Sequence, residues 1–132
     1  MMHLRAETAR DLMAPGSHAL ADTATAEHAA EFLTTHGFGA AVVIDLAGHP
    51  VGVVTKTDLL IHARELALRK KVEPATVRDV MTPAVFSCRE ETPVESVVEQ
   101  LLALNVHHLF VVDSAKVVVG LISPVDVLKR LT

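Results

Sequence analysis

The chain has 132 residues, half of them hydrophobic, with a net charge of −4 and an isoelectric point near 6.0. That length fits about one ordinary domain, and the apolar fraction supports a packed core rather than disorder. The acidic balance excludes a global basic field for nucleic acid, and no apolar run is long enough to span a bilayer.

The opening stretch carries Arg5, Glu7, Arg10 and Asp11 and has no signal-peptide core, so a cytoplasmic protein without membrane insertion is expected. A short extended piece is predicted near 17–20. A helix follows whose inner face is Ala26, Ala29, Ala30 and Leu33. Apolar runs at 40–44 and 51–54 flank the turn-like Asp45-Leu46-Ala47-Gly48, which predicts a hairpin. The next helix starts at Thr55 and runs to about Lys71, with Leu59, Leu60, Ala63, Leu66 and Ala67 on one side. Pro74 prevents much extension. A second extended piece is predicted near 85–88. Thr92 then reads as a helix cap, Pro93 as the first helical residue and Glu95 as the partner in a capping box. Val94, Val97, Val98, Leu101 and Leu102 form that helix's apolar face. A second hairpin joins 109–112 to 117–122, and a last helix runs from Ser123 to the end of the chain.

These elements are one pattern written twice. Thr8-Ala9-Arg10-Asp11-Leu12-Met13-Ala14-Pro15 returns as Thr76-Val77-Arg78-Asp79-Val80-Met81-Thr82-Pro83, a shift of 68 positions (11 to 79). The same shift joins Glu27 to Glu95, Asp45 to Asp113, Gly52 to Gly120 and Asp58 to Asp126. Residues 8–70 and 76–132 are therefore two β-α-β-β-α repeats, an α+β (mixed α/β) class. Each repeat is small enough to need a partner surface.

Arg78-Asp79-Val80-Met81-Thr82-Pro83, Leu109-Phe110-Val111-Val112-Asp113 and Gly120-Leu121-Ile122-Ser123-Pro124-Val125-Asp126, with their counterparts in the first repeat, resemble the cystathionine-β-synthase (CBS) domain. The resemblance covers nearly the whole chain. It implies tandem repeats packed about a pseudo-twofold axis, a Bateman module. It also implies regulatory binding of an adenine nucleotide (AMP, ADP, ATP) or S-adenosylmethionine in the cleft between the repeats, with no cofactor required. Such modules commonly form homodimers and regulate an attached enzyme, channel or transporter. No such domain lies in this chain, so it resembles stand-alone members that act on a separate, unknown target protein.

The candidate sites follow Gly-x-x-Ser/Thr-x-x-Asp at 120–126 and 52–58, where a strand delivers the chain to a helix N-terminus that can receive an anion. Gly120 and Gly52 would let a ligand approach the backbone. Ser123 and Thr55 could donate to phosphate, and Asp126 and Asp58 could accept from ribose hydroxyls. The same spacing is also a helix-capping pattern, and one carboxylate oxygen suffices for the cap. In the family a basic residue often precedes the apolar strand and reaches phosphate. His108 takes that place in the second repeat, and the adjacent His107 would point the other way. The first repeat has Phe38-Gly39-Ala40 there, with no basic group, so that site could recruit Lys56 or a basic group from the other repeat across the cleft. The adenine slot would be Val85, Val106 and Ile122 in the second site, and Ser17, Phe38 and Val54 in the first. The Asp126 site is the favoured one, and its affinity should rise as the pH falls from about 8 to 6 if His108 holds phosphate.

Eight histidines show no metal-ligand spacing, and no nucleophile elbow or phosphate loop is present, so neither a metal nor an enzyme is expected. Cys88 reads as a small buried hydrophobe. The expected function is a non-enzymatic sensor that binds an adenosine-containing molecule, with a ligand-free dimeric scaffold whose sites have degenerated as the alternative.

Overall fold

A computed structural model describes residues 2–15, 19–70, 72, 74–104 and 108–132. In chain order the elements are α1 (Ala9–Leu12), β1 (Ala14–Pro15), β2 (Ala19–Ala21), α2 (Ala26–His36), β3 (Ala40–Ile44), β4 (Pro50–Thr55) and α3 (Lys56–Ala67). There follow α4 (Val77–Val80), β5 (Ser87–Arg89), α5 (Val94–Ala103), β6 (Leu109–Val112), β7 (Val118–Ile122) and α6 (Pro124–Leu128). The class is the mixed α+β one that the repeats predict, with two small mixed sheets.

Local chemistry accounts for the joints. Asp45 Oδ1 accepts the N–H groups of Ala47 (2.9 Å) and His49 (3.0 Å), and Gly48 follows with φ +84°. Asp113 Oδ1 does the same for Ala115 (2.8 Å) and Val117 (3.0 Å), and there Lys116 takes φ +63°. Both are Asx turns, in which the side chain mimics a backbone acceptor. Thr25 caps α2 by accepting the His28 N–H at 3.0 Å, and Gly37 ends it in the left-handed region.

The chain divides into two compact units, His18–Val85 and Met1–Ser17 with Phe86–Thr132. In the first, β2 runs parallel and β4 antiparallel to the central β3. Its core is Leu20, Ala29, Leu33, Ala41, Val43, Val54 and Val77. In the second, the sheet order is β1-β7-β6-β5, over a core of Ala9, Leu12, Cys88, Val94, Val97, Leu101, Leu109, Val111 and Ile122.

The packing units are thus cut differently from the repeats. β1 pairs with β7 (Ala14 opposite Leu121), and the Arg10 guanidinium meets Glu90 at 2.9 Å. In the other unit Thr82 lies opposite Val53, and Arg78 meets Asp22 at 2.5 Å. Each repeat's opening motif is built into the body of the other repeat, in the same register 68 positions apart.

Several expected details differ. α5 begins at Val94 with Pro93 as its cap residue, because the Thr92 hydroxyl is used earlier, accepting the Arg89 N–H at 3.0 Å. Leu102 is 76% exposed, Leu60 is 70% exposed and Ala30 is exposed, while His62 of α3 is buried at 8%. The helical stripes are narrower than their apolar residues suggest, and in α3 the inner stripe runs through His62. α3 ends at Ala67 rather than near residue 71. Arg69 takes φ +58° and the Lys70 N–H returns to the Glu65 carbonyl at 2.9 Å, a Schellman stop. α6 ends at Leu128 because the last residues leave the helix to pair with the chain start. Thr132 and His3 exchange N–H to carbonyl bonds at 2.7 and 2.9 Å.

Candidate functional site

The two strand-to-helix corners are built as the motif predicts. β4 leads into Thr55, the cap of α3, and β7 leads into Ser123, the cap of α6. Asp58 Oδ2 accepts the Thr55 N–H at 2.9 Å and the Thr55 hydroxyl at 3.0 Å, while Thr55 Oγ1 accepts the Asp58 N–H at 3.1 Å. Asp126 Oδ2 accepts the Ser123 N–H at 2.8 Å and the Ser123 hydroxyl at 3.0 Å. Capping therefore holds at both corners, and it uses one oxygen of each carboxylate.

This geometry changes two expected roles. A hydroxyl has one proton, and those of Thr55 and Ser123 point at their own carboxylates rather than outward to a phosphate. The carboxylate also stands at the positive helix end where an anion would go, and α6 is only five residues long. The glycines differ as well. A Cβ on Gly52 would lie 2.6 Å from Met81 Sδ and 2.8 Å from the Thr82 carbonyl oxygen. One on Gly120 would lie 2.5 Å from Met13 Sδ and 3.0 Å from Met13 Cβ and Cγ. Neither glycine has a positive φ, so each is needed for space, and the protein's own methionine fills that space.

The first corner gathers several of the expected residues. Phe38 and Gly39 lead into β3, Ala40 pairs with Thr55, and the Lys56 N–H donates to the Gly39 carbonyl at 3.1 Å. Phe38 is half-buried, stacks on His36 (centroids 5.2 Å) and meets Phe32 edge-on (5.9 Å). Val54 is fully buried in the core instead of lining an open slot. At the second corner Ile122 is likewise fully buried, and it pairs with Leu109, beside the half-buried His108. Val85 belongs to the compact unit that does not contain Asp126. Ser17, Val106 and His107 lie outside the described residues.

One contact was not anticipated. The Thr82 hydroxyl donates to Asp58 Oδ1 at 3.2 Å. The 68-position shift aligns Thr82 with Ala14, and that mismatch was the sequence signal for it. Burial pushes the Cys88 thiol up to about 11, so it carries no nucleophilic thiolate at neutral pH. Among the described residues no group of three or more His, Cys, Asp or Glu is placed to hold a metal ion, and no helix is long and apolar enough to cross a membrane.

The family model for the CBS domain matches the chain twice, at residues 9–65 and 77–132. The chain belongs to the CBS domain family. The CBS pair is 28% identical to CBSX2 of Arabidopsis thaliana, solved in complex with AMP, with a TM-score of 0.80 over 94% of this chain and 95% of that one. It is 26% identical to the CBS domain pair of MJ0100, solved with 5′-methylthioadenosine and S-adenosyl-L-methionine, with a TM-score of 0.77 over 92% and 93% of the two chains. An uncharacterised Methanopyrus kandleri protein is 27% identical over 107 residues, which is 81% of this chain. The CBS pair spans 54% of that relative's own length.

Proposed function

We propose that this CBS pair is a non-enzymatic regulatory module that binds an adenine nucleotide or S-adenosylmethionine and passes its ligand state to a separate protein. The observation that carries this reading is the match, over 94% and 92% of the chain, to two CBS pairs solved with adenosine-containing molecules. The reading assigns the ribose diol to Asp126 with Ser123 behind it, and the phosphate side to His108. Asp58, Thr55, Gly39 and Lys56 form the corresponding first site. Asp126 suits this role because its Oδ1 has no protein partner among the described residues, while Oδ2 secures its orientation. The module is taken to act as a cytoplasmic homodimer. Ligand can shift its conformational balance only through differential affinity for the two states.

The test is thermal melting of the whole chain with AMP, ADP, ATP and S-adenosylmethionine in turn. A ligand at 100 times its dissociation constant should add about 2.7 kcal/mol of stability. Asp126→Asn should remove the shift from the tighter site, judged against its own ligand-free melt, because the cap is weakened too. No shift with any of the four at millimolar concentration refutes the reading.

A further inference from the structure

We propose that Thr82 makes the two carboxylates unequal, holding Asp58 back from a ribose and leaving Asp126 the tighter of the two. The inference rests on the adenosine-binding reading above and adds a specificity-determining residue outside both Gly-x-x-Ser/Thr-x-x-Asp motifs.

Thr82 is held firmly in place. It exchanges two backbone hydrogen bonds with Val53, at 2.8 and 2.9 Å. That pairing sets its side chain beside Asp58, where the hydroxyl donates to Oδ1 at 3.2 Å. The two Thr55 donors already occupy Oδ2, so both oxygens of Asp58 have protein partners. The corresponding residue of the other unit is Ala14, opposite Leu121 in the same register. Alanine has a methyl group where threonine has its hydroxyl, and Asp126 Oδ1 has no protein partner among the described residues.

A diol approaching Asp126 Oδ1 displaces no partner among the described residues. At Asp58 it must share or displace the Thr82 hydroxyl. A carboxylate oxygen has two lone pairs, so Thr82 weakens binding without abolishing it. A hydrogen bond to a carboxylate is the stronger, charge-assisted kind, and because Thr82 shares Oδ1 rather than filling it, only part of that bond's net worth is lost, about three- to tenfold in affinity.

The experiment is isothermal titration of the whole chain with AMP, comparing wild type with Thr82→Val and Ala14→Thr. Asp58→Asn and Asp126→Asn identify which binding event belongs to which site. Thr82→Val keeps the branched shape at an exposed position and removes only the hydroxyl, so it decides the matter even if Ala14→Thr fails to fold. Thr82→Val should tighten the Asp58 event about three- to tenfold and leave the Asp126 event unchanged. Ala14→Thr should weaken the Asp126 event by a similar factor. An Asp58 event that is unchanged or weaker in Thr82→Val overturns the inference while the adenosine reading stands. So does an Asp58 event that is already the tighter one in the wild type. If none of AMP, ADP, ATP and S-adenosylmethionine binds any variant, the adenosine reading falls and this inference falls with it.

Discussion

Gly120→Ala separates two explanations of the motif glycine: room for a ligand, or room for Met13. The added methyl would stand 2.5 Å from Met13 Sδ and 3.0 Å from its Cβ and Cγ. The sulfur can swing aside, but Met13 Cβ moves only with the backbone, and the neighbouring Ala14 is tied to Leu121. Overpacking of this kind costs about 1–3 kcal/mol. Removing a glycine from the unfolded chain returns about 0.4–1 kcal/mol, since the native φ suits alanine. The net expectation is a loss of about 1–2 kcal/mol, or a melting temperature lower by about 4–8 °C. Circular dichroism melts and urea midpoints of the ligand-free protein measure it. Met13→Gly vacates the contested space, Cβ included, so the double variant should be more stable than the sum of the singles by about 1 kcal/mol. If Gly120→Ala lies within about 0.5 kcal/mol of wild type, or the two changes simply add, the packing argument is wrong. A variant of unchanged stability that binds AMP less well would return the glycine to the ligand.

Lys116→Gly should raise the urea midpoint by the equivalent of about 1 kcal/mol, since Lys116 holds φ +63° where the other repeat has Gly48. Arg69→Gly should do the same at the end of α3, and an unchanged midpoint in both would show that their strain is relieved elsewhere. Hydrogen bonds from the N–H groups of Glu7 and then Thr8 hold the Asp11 carboxyl below its ordinary value. Its contribution is therefore fully present above the unfolded carboxylate value of about 4, and it is lost as the pH falls through the lowered folded value. Asp11→Asn should flatten the acid limb of a urea-midpoint series from pH 6 to 2, and an identical slope would refute the assignment. Burial raises the Cys88 thiol to about 11, so its contribution is lost as the pH rises toward that value. At pH 8 the native protein should react with a thiol reagent such as DTNB only as fast as it opens, and reaction at the free-thiol rate would contradict the burial.

Interactions of short range were legible from residue order alone. Asp45 and Asp113 are followed at the right spacing by the amides they accept, and Thr55–Asp58 and Ser123–Asp126 carry both halves of a capping box within one turn. The internal shift and the CBS motifs follow from identity at fixed distance, which needs no coordinates. The edges of the buried faces were not legible. Periodicity marks the direction of a stripe, but neighbouring elements decide its width, so Leu60 and Leu102 stay exposed while His62 goes inside. Competition between equivalent local bonds was also hidden: Thr92 could serve Arg89 or the helix, and it serves Arg89.

The candidate site divides the same way. That Asp58 and Asp126 would stand at helix caps was written in the sequence. That one of them would be approached by Thr82 and the other by Ala14 was decided by strand pairing. A two-residue strand such as β1 has no periodicity to announce itself, and its partner β7 lies about a hundred positions along the chain. Only the folded chain shows that each opening motif joins the other repeat's body, placing Met13 over Gly120 and Thr82 against Asp58. The sequence determined the two repeats and their caps because those bonds close within a few residues. The tertiary structure decided what stands over each carboxylate, because those contacts close across the chain.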